Sequence, residues 1–228
     1  MKKFAKPFSS FIFAILLFCS CNTGDSDTRD FGAGFVIVRT SMSGIYFENA
    51  YGEYLIPDSQ SDLSEIESGD FLYIQFLVDS VSTDKKRVYV CLVNEYYKYN
   101  RLLLTTYNRA DTIGTDPFSG GSDDNSVEIG MVKEYLITDF YFRASESLPH
   151  TIGLAEESQD CLRNDTLFFR LWHNGYDDKN GSHTVRDIRY FNVSHYSPVN
   201  TDSLVIAVTY TGTIGVDKDK TIYTSYKP

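Results

Sequence analysis

The 228-residue chain is poor in several residue types: one Trp, three Met, four Cys and six Pro. Basic residues are scarce as well, with 21 Lys and Arg against 31 Asp and Glu, a formal charge of −10. That deficit argues against a nucleic-acid binder, because neutralising phosphates supplies most of such affinity. No apolar run approaches the roughly 20 residues that a membrane-spanning helix requires. No convincing amphipathic helix is visible beyond the N-terminal segment. Charged residues at 23% and apolar residues at 42% exclude a disordered chain, and no collagen-like repeat occurs. What the chain does have is aromatic mass: 17 Tyr and 16 Phe. Both favour strands.

Residues 1–20 read as a lipoprotein export signal. Lys2, Lys3 and Lys6 give a positive start, Phe11 to Phe18 is apolar throughout, and Ser20-Cys21 follows. A small residue directly before Cys is the lipobox pattern, so cleavage before Cys21 and lipidation of its thiol are expected. Removing the three signal lysines leaves 18 basic and 31 acidic residues, a net −13. Lipid chains at Cys21 would hold this acidic body at a membrane. Residues 21–32, polar and without apolar periodicity, read as a flexible tether. Two further cysteines, Cys91 and Cys161, fall in separate blocks and read as free thiols.

Period-two alternation dominates the body. Leu72, Ile74, Phe76 and Val78 share one face; so do Val88, Val90 and Leu92, and so do Leu167, Phe169 and Leu171. Turn signals such as Ser68-Gly69-Asp70, Asn174-Gly175 and Ser197-Pro198 separate such stretches. The pattern predicts an all-β protein. Residues 33–115 read as a small OB-like barrel of five strands, the last running from Leu102 to Tyr107. Residues 116–126, with Pro, paired Gly and an acidic cluster, read as a linker. Residues 127–228 read as an antiparallel β-sandwich.

Three segments then carry a resemblance. GDFLYIQF from Gly69, DTIGTDP from Asp111 to Pro117 and HTIGL from His150 to Leu154 are similar to segments of the NigD-like lipoproteins of Bacteroidetes. The resemblance covers nearly the whole chain after the signal. It implies a barrel followed by a sandwich and a place in the cell envelope, expected to be the outer membrane. It implies no established molecular activity. It also makes relevant an O-glycosylation rule for exported proteins of that phylum, Asp followed by Ser or Thr and then a small or aliphatic residue. Thr112 and Ser80 are the candidate sites.

Chemistry is harder to find. The four histidines, His150, His173, His183 and His195, form no HExxH motif. A metal-dependent hydrolase using His173, His183 and Asp177-Asp178 is one alternative, and a structural subunit of a surface assembly another. No GxSxG, Ser-x-x-Lys or nucleotide-binding glycine loop occurs. No catalytic residue, metal or cofactor is therefore assigned. The most suggestive surface is Glu95 to Arg101 (EYYKYNR), where Tyr96, Tyr97 and Tyr99 are candidates to grip a protein or glycan. The expectation is a non-catalytic binding module without nucleic-acid partners.

Overall fold

The computed structural model describes residues 29–93, 96–106, 114–119, 126–145, 149–176, 178, 181–212 and 218–228. Cys21 and Thr112 lie outside them. Among the described residues there are strands and turns but no helix. The chain divides into two compact units between Lys98 and Tyr99.

The first unit is built from β1 (Phe31–Ser41), β2 (Gly44–Asn49), β3 (Tyr54–Pro57), β4 (Phe71–Val81), β5 (Arg87–Leu92) and β6 (Tyr97–Lys98). β1 serves two partners: Phe31 to Ile37 pairs with β4, and Val36 to Ser41 pairs with β2. The order β1-β2-β3-β5-β4 therefore closes on itself. This is a five-stranded barrel of OB type, in which closure removes exposed strand edges. Alternation sends Val36, Val38, Phe47, Leu55, Leu72, Ile74, Phe76, Val88 and Val90 inward, the inward sets of β4 and β5 being those read from the sequence.

Gly69-Asp70 has a structural role here. Gly69 sits at φ 93°, a conformation that side chains beyond glycine disfavour. Its N–H donates to the Val38 carbonyl, and Val38 N–H donates to the Asp70 carbonyl. The Asp70 carboxylate accepts from Glu67 N–H and lies 2.7 Å from Lys98 Nζ. The turn thus fixes where β4 begins against β1.

The second unit contains β7 (Asn100–Arg101), β8 (Leu103–Thr105), β9 (Val127–Val132), β10 (Tyr135–Ala144), β11 (Thr151–Glu156), β12 (Leu162–Arg163), β13 (Thr166–Asn174), β14 (His183–Asn192), β15 (Leu204–Gly212) and β16 (Lys218–Tyr226). One sheet has the order β7-β14-β10-β9; the other runs β16-β15-β13-β11-β8, with β12 on β13. Leu136, Phe140, Phe142, Leu154, Leu167, Phe169, Leu171, Ile206 and Val208 are buried in its core.

Three expectations are corrected. Leu102 to Tyr107 is no barrel strand: β8 pairs in parallel with β11, and Leu102 belongs to the sandwich core. Phe118, inside the expected linker, is fully buried in that core, and its N–H donates to the Thr211 carbonyl. Burying one aromatic ring outweighs the polar composition around it. The sandwich is also not wholly antiparallel, since β13–β15 and β14–β7 are parallel.

Both cysteines are free and lie in different units. Cys161 is buried in the core. Burial and then the Glu156 carboxylate push its thiol up, which leaves it inert as a nucleophile.

Candidate functional site

Two features combine chemistry with position. The first is the outer face of the barrel. Strand alternation that buries Phe47, Leu55, Val88 and Val90 must turn their neighbours outward. Arg39 stands opposite Tyr46, Ile56 opposite Tyr89, and Tyr89 opposite Ser80. The β2–β3 register, with Phe47 opposite Leu55, brings Tyr46 beside Ile56. One row therefore crosses all five strands: Arg39, Tyr46, Ile56, Tyr89, Ser80. In the next row Glu48 faces Tyr54, and Tyr54 faces Arg87.

The rings of Tyr46 and Tyr54 meet edge to face at 5.3 Å, and Arg39 Nε donates to Glu48 Oε2 at 3.0 Å. Tyr54 and Tyr89 keep 36% and 41% of their surface. The result is a tyrosine platform whose position is fixed by a closed sheet.

The three tyrosines singled out from the sequence do not form one surface. Tyr96 packs against the barrel core. Its phenol is pushed up by burial and then by the Glu65 and Asp62 carboxylates. Those residues, with Gln60, Ser61 and Ser64, line an open cleft of about 500 Å³. Tyr97 stands opposite Tyr73 on β4 and is exposed. Tyr99 is half-buried and belongs to the second unit. Ser80 is exposed, next to a bulge in β4 at Asp79.

The second feature lies inside the sandwich. Ile152 on β11 stands opposite His173 on β13. His150, two residues earlier and on the same face as Ile152, is then a diagonal neighbour of His173. Its Nδ1 is 2.7 Å from His173 Nε2, and its Nε2 is 3.1 Å from Asp178 Oδ2. The Asp178 carboxylate also accepts from the Ser145 N–H and hydroxyl. Phe142 packs on both imidazoles and Phe118 on His173.

The protonation pattern follows from these contacts. Ser145 and then His150 hold the Asp178 carboxyl below its ordinary value, so it is an acceptor only. His150 Nε2 must carry a proton to meet it. A further proton joins His150 Nδ1 to His173 Nε2, and either ring can be its donor. The remaining His173 Nδ1 is buried without a hydrogen bond of good geometry. Burial, then the neighbouring His150, pushes His173 down to about 4.

The arrangement is not a nucleophile triad. The Ser145 hydroxyl donates to a carboxylate, whereas a triad serine must donate to the imidazole. The suggested grouping of His173 with His183 is replaced by His173 with His150; His183 is exposed at the start of β14, opposite Ala144. Asp177 lies outside the described residues. Among the described residues, no three His, Cys, Asp or Glu side chains are placed to hold a metal ion. Sequence reading missed the pair because 23 residues separate its members, although His150 does head one of the segments that carry the family resemblance.

No family model and no curated protein matches the chain. Solved structures do. A protein of unknown function from Bacteroides vulgatus superposes with a TM-score of 0.66 and 16% identity, over 87% of this chain and 92% of that one. A Bacteroides fragilis protein assigned provisionally as a lipoprotein gives 0.63 and 15%, over 86% and 97%. A NigD-like immunity protein from Bacteroides caccae gives 0.57 and 15%, again over 86% and 97%. At such identity the likeness is one of fold, and this fold, a barrel followed by a sandwich, is the one that the resemblance to NigD-like lipoproteins implies.

Proposed function

We propose that this chain is a non-catalytic envelope protein, anchored in the outer membrane through lipid on Cys21, whose barrel binds a protein partner. The observation that carries the reading is the row Arg39, Tyr46, Ile56, Tyr89 with Tyr54 beside it. Tyrosine and arginine are the residues enriched where protein interfaces concentrate their energy. Here a closed sheet positions them in advance, so little ordering entropy opposes binding. A structural neighbour described as an immunity protein supports a protein as the partner. Tyr97, exposed on β6 opposite Tyr73, is a candidate contact apart from the row; Tyr96 is not, because its ring serves the barrel core.

The test is capture from native envelope extract by wild type, by Tyr54→Ala/Tyr89→Ala and by Tyr223→Ala. Tyr223 is exposed in the second unit and serves as the control. A partner retained by wild type and the control, and lost by the double variant at unchanged Tm, supports the face. Equal capture by all three sinks it. Competition by free oligosaccharide at the same face would make the ligand a glycan instead. Separately, Cys21→Ala should release the chain from membranes or leave an uncleaved precursor.

A further inference from the structure

The buried histidine pair joins three stretches of chain at one end of the sandwich. Asp178 ties the loop after β13 to Ser145 at the end of β10. His150 ties the start of β11 to both Asp178 and His173. Asp116 closes the third side: its N–H donates to the His173 carbonyl, and its Oδ2 accepts from Gly175 N–H at 2.7 Å. Backbone packing leaves no slack. A Cβ built on Gly114 would fall 2.2 Å from the His173 carbonyl oxygen, and one on Gly181 would fall 2.3 Å from Ala144 N.

This network has room for a limited number of protons. One proton joins Asp178 to His150 and one joins His150 to His173. The remaining nitrogen is His173 Nδ1, whose ring is 3% exposed and flanked by Phe118 and Phe142. The groups that act on the ring are His150, whose charge would oppose a second one, the Asp116 carboxylate, the Pro117 backbone and the Arg189 guanidinium. Asp178 reaches it only through His150. Arg189 is itself bonded to Asp187 and the Ile152 carbonyl. Pro117 has no N–H and acts on the ring only through its carbonyl, and no hydrogen bond of good geometry reaches Nδ1. A cation there would be buried among phenyl rings, a position that drives a group toward water.

We propose that His150, His173 and Asp178 form an acid-released latch: once both imidazoles are protonated, the 2.7 Å approach of His150 Nδ1 to His173 Nε2 sets two N–H groups face to face, which breaks the chain of hydrogen bonds and frees Gly175, Tyr176 and Asp178, with the Asp116 segment, from the end of the sandwich. Above the release range the loop is clamped. Below it, the second unit keeps its sheets and opens at this end only, because the β10–β14 and β13–β15 ladders do not pass through the latch. The resemblance segments DTIGTDP and HTIGL supply two of its walls, through Asp116 and His150.

Hydrogen–deuterium exchange on the full chain, corrected for intrinsic rates, tests this at pH 7.5, 5.5 and 4.5. A latch opened by one proton raises its opening equilibrium about tenfold per pH unit between the open-state and closed-state pKa values. Peptides covering 141–150 and 171–181 should therefore open roughly fifty- to a hundredfold more at pH 4.5 than at pH 7.5, while the centre of β14 stays protected. His173→Gln keeps an N–H donor for His150 Nδ1 but cannot take a proton, so its opening should be flat with pH. His173→Phe, shaped for the same aromatic pocket, gives the same expectation should the amide be tolerated poorly. In wild type, NMR of the His173 ring must show titration at the midpoint of opening. Flat wild-type opening, a ring that titrates elsewhere, or variants that keep the acid response would each overturn the proposal.

Discussion

Gly114 lies against the backbone of His173, so closely that a methyl group on its Cα would reach 2.2 Å from the His173 carbonyl oxygen and 2.5 Å from the Asn174 Cα. The glycine of one resemblance segment is thereby fixed by the strand that carries the buried imidazole. Its neighbour Asp116 accepts from Gly175 N–H two residues beyond that imidazole. Motifs that look like signatures of activity in a sequence are here mostly the contacts of tightly packed backbone. Gly69-Asp70 plays the same part in the barrel, positioning the start of β4.

Gly114→Ala should accordingly be costly although the substitution is small. The obstacle is the backbone of His173 and Asn174 together with the Asn174 Cβ, none of which can swing away as the end of a flexible side chain would. Overpacking of this kind costs roughly 1–3 kcal/mol. Urea unfolding of the variant should show a lower midpoint. An unchanged midpoint would mean that the 114–118 segment is not seated on β13.

Stability should also fall with acid. The His173 ring is pushed down to about 4 from an ordinary 6.5, so between these values the unfolded chain binds the proton and the folded chain does not. The stabilisation is complete above about pH 6.5 and is lost as pH falls toward 4. A gap of that size corresponds to about 3 kcal/mol. The Asp178 carboxylate, held below its ordinary value, acts in the same direction in more acid solution. Urea titrations at pH 7 and 4.5 should show the loss in wild type and a smaller one in His173→Gln.

How much of this could be read beforehand depends on whether the signal was local. The inward sets of β4 and β5 follow from alternation alone, because each residue's face depends on its neighbours. The OB-like barrel was legible through the long hairpin that begins at Phe71, although the strand order was not. The placement of Leu102 and Phe118 was not legible. β7 and β8 are two and three residues long and pair in parallel with β14 and β11, some 50 to 90 positions away. No periodicity develops over so few residues. The Pro- and Gly-bearing stretch around Phe118 has the composition of a linker, and composition averages away one buried ring. The tyrosine row was missed because its members come one from each strand. The sequence instead drew attention to Tyr96, Tyr97 and Tyr99, which adjoin in the chain but not on a surface.

Phe118→Ala separates these two views of the segment. A phenyl ring in a solvated linker can be removed at almost no cost. Phe118 is fully buried, with Phe140 and Tyr210 set edge-on to it at 5.4 and 6.3 Å. Truncating such a ring to alanine costs about 3–5 kcal/mol. Thermal unfolding should show a large drop in Tm for the transition of the second unit. Near-wild-type stability would restore the segment to a linker.

The last prediction concerns modification. Asp79-Ser80-Val81 and Asp111-Thr112-Ile113 fit the glycosylation rule that the family resemblance brings with it, and a bulky glycan requires an exposed acceptor. Ser80 meets that requirement. The bulge at Asp79 turns β4 out of register, Asp79 pairs with Arg29 at 2.9 Å, and Ser80 is exposed opposite Tyr89. That last neighbour gives the modification a consequence. Sugar on Ser80 would stand at the end of the row that runs through Tyr89 and Ile56 to Tyr46, and would cover part of the proposed binding face. Intact mass of protein from its native envelope should exceed that of the lipidated chain by hexose-spaced steps, and Ser80→Ala, Thr112→Ala or the two together should abolish the excess. If Ser80 carries it, Ser80→Ala should also increase partner capture while leaving Tm unchanged. A mass equal to the lipidated polypeptide alone would reject both sites.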